Sequence, residues 1–162
     1  MILLGIDPGC RFAGFGVIRK QNGVVVLLEH GCLRLSASKP LSERIALFHD
    51  FFLGKIVQYH VTDLALETPF LGKNAQNFLK LGYLRGVLYL LAHKNTIHIH
   101  EFSPREIKQG ITGFGGASKE QVARVITQLF PRINPVFETN DISDALAVTL
   151  CGLWNTQKSQ TF

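Results

Sequence analysis

The stretch MILLGIDPGCRFAGFGVI, residues 1–18, decides how the fold begins. Ile2 to Asp7 is an apolar run of strand length, and Phe12 to Arg19 is a second one. The turn between them is so short that it predicts neighbouring antiparallel strands. The first strand ends on one carboxylate, Asp7. A lone acid is ordinary in such a turn, and it gains meaning only where acids from elsewhere in the chain converge on it.

The rest of the pattern predicts a third strand in an antiparallel meander, followed by alternating helices and strands. Helix crossovers predict that the first, fourth and fifth strands are parallel to one another. The sequence therefore predicts an α/β domain whose mixed five-stranded sheet is flanked by helices. The predicted elements are a strand at 23–34, a helix at 41–59, a strand at 61–67, a helix at 74–93, a strand at 96–102, a short helix after Ser103-Pro104, and helices from Ser118 and from Asn140 to Trp154.

Length and composition predict a single soluble domain. The chain has 162 residues, 46% hydrophobic and 18% charged, so we expect one domain over residues 1–162. No apolar run approaches the roughly 18 residues that cross a bilayer, and the first residues lack a signal-peptide pattern. The widely spaced Cys10, Cys32 and Cys151 predict reduced thiols in a cytoplasmic protein. A net charge of +5 suits a polyanionic partner, although an unspecialised basic surface explains it equally well.

Four acids from three separate segments are predicted to meet at one edge of the sheet. Glu67 ends the fourth strand as Asp7 ends the first, and the carboxyl ends of neighbouring parallel strands lie together. Asp141 and Asp144 are three residues apart in NDISDAL, which places both on one face of the last helix. Taken singly, Asp7 could be a turn former, Glu67 the partner of a lysine, and the helix acids complements of the macrodipole.

A cluster of four carboxylates favours a bound cation. Like charges repel, and a buried acid without a partner protonates or destabilises the fold. The sequence offers few cationic partners for the set, so a divalent ion explains it best. Oxygen ligands alone favour Mg²⁺ or Mn²⁺ over zinc, and such ions stabilise the attacking and leaving oxygens of phosphoryl transfer. Asp7 is therefore predicted to be a metal ligand at the centre of the site.

The chain resembles the RuvC family of Holliday-junction resolvases along nearly its whole length. The resemblance is carried by GIDPG at the first strand, Glu67 shortly before GKNA, the run LKLGYLRG, and NDISDALA in the last helix. It implies a ribonuclease H-like fold of the retroviral-integrase superfamily, and a homodimer that makes paired symmetrical nicks in a four-way DNA junction. It also implies the RuvA–RuvB branch-migration complex as a partner, with a role in recombination and DNA repair. The implied catalytic residues, which would hold two Mg²⁺ or Mn²⁺ ions per subunit, are Asp7, Glu67, Asp141 and Asp144.

Two loops are predicted to hold DNA. Phe70 could wedge between bases or tuck into the core, and the wedge is favoured because the resembled family has an aromatic residue at this position. Lys73 and Asn74 lie at a predicted helix N-terminus, whose free N–H groups bind phosphate. The second loop is rich in glycine and lies between Lys108 and Lys119, although plain turns are also rich in glycine. The resemblance implies a catalytic role for both lysines, in which Lys119 steadies the charge on the scissile phosphate.

The helix from Asn74 to His93 carries apolar residues on more than one side. This breadth predicts a dimer interface rather than a helix buried within one subunit. Arg85 on this helix is equally consistent with a structural role and with a DNA contact. His98 and His100 alternate in the fifth strand, and we expect ordinary strand residues because no third nitrogen or thiolate ligand is near in the sequence.

Three other classes of protein share parts of this pattern. A nucleotide-binding protein of the actin and sugar-kinase superfamily begins in a similar way but needs two such halves, and 162 residues supply one. A non-catalytic junction-binding module would keep the basic loops without needing all four acids. A ribonuclease H-type or YqgF-like nuclease acting on RNA is nearer, but the YqgF pattern differs from CRFAGFGVI, and ribonuclease H is not expected to have the dimer helix.

Overall fold

The computed structural model describes residues 1–69, 74–131 and 140–158. Its helices and strands follow the predicted order, and most bounds agree to within a few residues. In chain order the elements are β1 (Ile2–Asp7), β2 (Phe12–Gln21), β3 (Val24–Arg34), α1 (Leu41–Tyr59), β4 (Asp63–Glu67), α2 (Ala75–Lys94), β5 (His98–Phe102), α3 (Pro104–Thr112), α4 (Lys119–Leu129) and α5 (Asn140–Lys158).

Four bounds differ from the prediction by two residues or more. Strand β2 continues past Arg19 to Gln21. Strand β5 begins at His98 rather than Thr96, because Thr96 has a φ of 56° and left-handed backbone cannot pair in a sheet. Strand β4 begins two residues later than predicted, at Asp63. Helix α5 continues past Trp154 to Lys158. None of these differences moves a predicted site residue to another element.

One mixed sheet organises the fold, with strand order β3-β2-β1-β4-β5. The first three strands pair antiparallel, whereas β4 pairs parallel with both β1 and β5. This confirms the predicted meander and the three parallel strands. In this topology β1 and β4 run side by side with their carboxyl ends at the same edge of the sheet.

Helices cover both faces of the sheet, because successive strand residues point to opposite sides. Helices α1 and α2 pack on one face through Phe48, Phe52 and Leu88. Helices α3, α4 and α5 pack on the other face, where Ile126 and Leu146 are fully buried. Two hydrophobic cores therefore hold the sheet, and the edge where β1 and β4 end lies between the helix layers.

Helix α5 lies unusually close to the sheet because glycines face it. A Cβ built at Gly5 of β1 would lie 2.0 Å from Thr149 Oγ1, and one at Gly16 of β2 would lie 2.6 Å from a methyl carbon of Leu146. Real Cβ atoms essentially never approach another atom within 3.0 Å. The absence of side chains at these positions therefore sets how deeply α5 seats on β1 and β2.

Among the described residues, no helix is long and apolar enough to span a membrane. Cys10, Cys32 and Cys151 are present as thiols, as the sequence predicts.

Candidate active site

A rigid turn holds Asp7 at the end of β1. A Cβ built at Gly9 would lie 1.9 Å from the Phe12 carbonyl oxygen, so the turn needs glycine at this position. On the other side of the turn, the buried Arg44 guanidinium donates from Nη1 to the Cys10 carbonyl oxygen over 2.9 Å. The backbone of Asp7 is therefore held in a fixed position at the edge of the sheet.

Glu67 ends β4 beside Asp7. The two strands are parallel neighbours, with Ile6 paired to Leu66 one residue before each acid. The backbone stays ordered beyond the strand, because the Thr68 N–H donates to the Phe102 carbonyl oxygen of β5 over 2.8 Å. The prediction that these two acids share one edge of the sheet is confirmed.

The first turns of α5 bring Asp141 and Asp144 to the same place. Asp7 pairs with Gly14 across the antiparallel β1–β2 ladder. A Cβ built at Gly14 would lie only 2.0 Å from the carbonyl oxygen of Asp141. The start of α5 therefore rests on the backbone directly beside Asp7, which is possible only because residue 14 is glycine.

The electrostatics of Asp7 show that the four acids lie within reach of one another. The pKa of Asp7 is raised from 3.8 to about 7. Burial is the largest cause, the neighbouring carboxylates of Asp144, Glu67 and Asp141 add to it, and Lys119 opposes them. Burial and Asp144 also raise the pKa of Glu67. Side chains from β1, β4 and α5 therefore converge on one point.

Two lysines face this acidic cluster. The Lys119 ammonium at the start of α4 donates to Asp144 Oδ2 over 2.7 Å, and this hydrogen bond raises the pKa of Lys119. Lys108 of α3 lies with Glu67, Lys119 and Asp144 in the lining of a cleft of about 170 Å³. Capping boxes fix the starts of both helices, with Ser103 and Ser118 as the N-caps. Both lysines predicted around the glycine-rich loop therefore line the acidic cleft.

The chemistry of the cluster fits a divalent cation. Its donors are carboxylate oxygens, which suit Mg²⁺ or Mn²⁺. The raised pKa of Asp7 and the ammonium of Lys119 on Asp144 both reflect a site that favours positive charge. As the side chains stand in residues 1–69, 74–131 and 140–158, no group of three or more His, Cys, Asp or Glu is arranged to hold a metal ion.

The predicted DNA-contacting residues of the first loop are only partly described. Phe70 and Lys73 lie outside the described residues. Asn74 is the N-cap of α2, and its side-chain oxygen accepts from the Asn77 N–H over 3.0 Å. The amide of Asn74 therefore closes the helix end, as the predicted cap requires.

Sequence reasoning missed an exposed aromatic side chain in the second loop. Phe114 is 64% exposed and stands in the glycine-rich segment between α3 and α4. The loop is held in shape by Gln109, which accepts from the Gly115 N–H and donates to the Gly113 carbonyl oxygen. An aromatic residue flanked by glycines was the available signal, and an exposed ring of this kind can stack on a base.

Arg85 and the two histidines take structural positions. Arg85 is only 5% exposed. Of the two roles that the sequence left open, the structural role therefore fits this residue and the DNA contact does not. His100 Nε2 lies 2.8 Å from Asp63 Oδ1, whereas His98 is exposed. The histidines are therefore ordinary strand residues, as expected.

Comparisons with known proteins agree with the fold. The chain is similar to two solved structures from Thermus thermophilus, RuvC in complex with a Holliday junction substrate (TM-score 0.89, 24% identity, 98% of this chain and 96% of that one) and RuvC alone (TM-score 0.86, 25% identity, 98% and 97%). These likenesses place the domain among the ribonuclease H-like folds, as predicted.

The sequence comparisons are more specific. The family model described as crossover junction endodeoxyribonuclease RuvC matches residues 3–152. A curated relative of that name from Pelodictyon phaeoclathratiforme is 42% identical over 153 residues, which cover 94% of this chain and 80% of the relative. The chain belongs to the RuvC family of crossover junction endodeoxyribonucleases. It is accordingly an enzyme, a nuclease that hydrolyses phosphodiester bonds.

Proposed function

We propose that this protein resolves four-way DNA junctions by paired, symmetrical nicks during recombination and DNA repair. The observation that carries the proposal is the convergence of four carboxylates from β1, β4 and α5; burial, and after it the three neighbouring acids, raise the pKa of Asp7 to about 7. Membership of a family named for crossover junction cleavage supports the substrate class. Residues 1–162 are proposed to form a single nuclease domain.

The cluster would hold divalent metal through Asp7, Glu67, Asp141 and Asp144. We propose Mg²⁺ as the ion, with Mn²⁺ as a substitute and two ions per subunit. When bound, such ions supply Lewis-acid stabilisation of the attacking and leaving oxygens of a phosphodiester. The raised pKa of Asp7 supports this assignment, because a cation is the partner that restores the ionised form.

Lys119 and Lys108 act on the phosphate in this proposal. The Lys119 side chain is 70% exposed while it pairs with Asp144, and it lines the cleft beside Glu67. Asp144 would help to hold the cation, and the Lys119 ammonium would donate to the non-bridging oxygens of the scissile phosphate. Lys108 lines the same cleft and adds positive charge without reading base identity.

The first loop is proposed to position the junction. Phe70 would stack on or wedge between bases, and Lys73 would contact phosphate, as the sequence predicts. The N-terminus of α2, which Asn74 caps, offers further backbone N–H groups to phosphate. Phe114 on the second loop is a further exposed ring available for stacking.

Paired nicks require two active sites, and α2 offers a surface for a second copy of the chain. The helix buries Leu84, Leu88 and Leu91 within the subunit. It also exposes large apolar side chains on its outer side. One side of α2 is therefore buried within the subunit, and the other side is available for the predicted interface. A two-fold axis through the outer face would match the near two-fold symmetry of a four-way junction. The exposed residues are Leu79, Tyr83, Tyr89 and Leu90.

Two proposals rest on the sequence alone. The RuvA–RuvB complex is proposed as the partner that delivers junctions, and the cytoplasm as the compartment, consistent with three widely spaced cysteines in the sequence.

The test uses a synthetic four-way junction and a linear duplex of matched sequence, each with Mg²⁺ or with EDTA. The wild-type protein should nick the junction symmetrically with Mg²⁺ only. Asp7→Asn should bind the junction and leave it intact. Asp50→Asn, which changes an exposed carboxylate on α1, is the matched control and should nick like the wild type. Equal cutting of the linear duplex would refute structure selectivity, and nicking by Asp7→Asn would refute its role as a ligand.

A further inference from the structure

A buried arginine joins α2 to the strand that carries Glu67. Arg85 is 5% exposed, and its Nη1 donates to the Glu67 backbone carbonyl oxygen over 2.5 Å. Its Nη2 donates to the Tyr89 hydroxyl over 3.2 Å and forms an ion pair with the Glu101 carboxylate. Tyr89 also donates to Glu101 Oε1 over 2.6 Å. The guanidinium is thus satisfied by one backbone and two side-chain partners.

Two of the three partners of Arg85 lie where the parallel strands β4 and β5 end, and the third, Tyr89, lies on α2 itself. Glu67 is the last residue of β4, and Glu101 is the last but one of β5, where it pairs with Leu66. Arg85 therefore contacts the carboxyl ends of both strands from the side of α2. It also lines, with Asp7 and Glu67, a second cleft of about 130 Å³ at the edge of the sheet.

A charge so deeply buried needs a reason. Desolvating a guanidinium costs several kcal/mol unless its hydrogen bonds are all met, and apolar residues at such positions are often as stable. The neighbouring buried positions of α2 are leucine and alanine. What an apolar side chain could not do is bind the carbonyl of Glu67, because only a donor with a rigid fork reaches that oxygen and the Glu101 carboxylate together.

We propose that Arg85, supported by Tyr89 and Glu101, is a positioning residue that fixes the backbone of Glu67 and hence the direction of its carboxylate in the acidic cluster. This inference rests on the proposed function, in which Glu67 is a metal ligand. Outer contacts of this kind commonly change metal affinity or activity by about 10- to 100-fold when they are removed. Tyr89 is half exposed on the outer side of α2, so the network runs from the helix surface to the active site.

The test compares Arg85→Lys, Tyr89→Phe and Glu101→Gln with wild type. Arg85→Lys keeps the charge but loses the fork, so we expect Mn²⁺ affinity, measured by electron paramagnetic resonance without DNA, to fall about tenfold or more. The kcat for nicking should fall by a similar factor, and junction affinity in EDTA should stay within about twofold. Tyr89→Phe and Glu101→Gln leave the bond to the Glu67 carbonyl, so each should have a smaller effect in the same direction.

Arg19→Lys is the matched control, since Arg19 is an exposed arginine at the far end of β2. It should leave Mn²⁺ affinity, kcat and junction affinity unchanged. If Arg85→Lys fails to fold, Glu101→Gln carries the test, because Glu101 is itself partly exposed.

Wild-type Mn²⁺ affinity and kcat in a folded Arg85→Lys protein, or in Glu101→Gln where that variant carries the test, would overturn the positioning role. So would a loss of junction affinity in EDTA that equals the loss of nicking, because Arg85 would then act on DNA binding. Failure of the wild-type protein itself to nick the junction would instead refute the proposed function.

Discussion

Replacing Asp7 with asparagine should make the metal-free protein more stable at alkaline pH. Burial and three neighbouring carboxylates raise the pKa of Asp7 from 3.8 to about 7 in the folded chain. Between these two values the folded state binds a proton that the unfolded state has lost. Stability therefore falls as the pH rises through this window, and the full penalty is present above pH 7. Asparagine carries no charge and avoids the penalty.

The size of the effect follows from the shift. A rise of about three pKa units corresponds to about 4 kcal/mol, at about 1.4 kcal/mol per unit. This is an upper limit, because side chains can rotate apart and salt screens the acids. We expect Asp7→Asn to gain between about 1 and 4 kcal/mol at pH 8, and less than half of that gain at pH 5.

The assay is urea unfolding of wild type and Asp7→Asn in EDTA at pH 5 and pH 8. Asp50→Asn is the control, because that carboxylate is 78% exposed and should change stability by less than about 0.5 kcal/mol at pH 8. Adding Mg²⁺ should stabilise the wild type and have little effect on Asp7→Asn. If Asp7→Asn is no more stable than wild type in EDTA at pH 8, the acids are not crowded and the argument for a required cation fails.

Three further changes test other parts of the site. Gly14→Ala should push the Asp141 backbone by about 1 Å, since the new Cβ would otherwise lie 2.0 Å from the Asp141 carbonyl oxygen. We expect the free energy of unfolding in urea to fall by about 1–3 kcal/mol and the rate of nicking to fall by about 100-fold. Lys119→Met breaks an exposed pair with Asp144, so unfolding should change by less than about 1 kcal/mol while nicking falls by at least 100-fold. Leu79→Lys adds a charge to the outer face of α2, and analytical ultracentrifugation should show dimers becoming monomers; an unchanged dimer would move the interface elsewhere.

Much of the fold could be predicted from the sequence because its signals are local. The alternation of apolar residues and the short turn after Asp7 predict the first hairpin, and Ser118 with Gln121 predicts the capping box that opens α4. The meeting of Asp7 with Glu67 follows from one topological rule, the right-handed crossover between parallel strands. The predicted start of β5 at Thr96 was wrong. A β-branched threonine favours a strand by propensity, whereas the turn after α2 requires left-handed backbone at this residue.

The inner details of the site depend on contacts that no local pattern encodes. Arg85 donates to the backbone carbonyl of Glu67, and because every residue has such a carbonyl, the sequence gives no sign of which one is bound. Gly14 could be recognised as a strand glycine but not as the seat of α5, since that contact joins residues far apart in the chain. The pairing of Lys119 with Asp144 likewise crosses from α4 to α5. The roles of the four acids and of Lys108 and Lys119 stay predictions until they are tested.

The glycines beneath α5 have a consequence for when the active site forms during synthesis and folding. Strand β1, which ends at Asp7, precedes α5, whose first turns carry Asp141 and Asp144, by more than 130 residues in the chain, so the ribosome makes β1 well before α5. The two halves of the acidic cluster join only when α5 settles onto Gly5, Gly14 and Gly16. A nascent chain still lacking that helix carries no complete set of acids, so nuclease activity requires α5 to be made and to pack onto the strands that precede it.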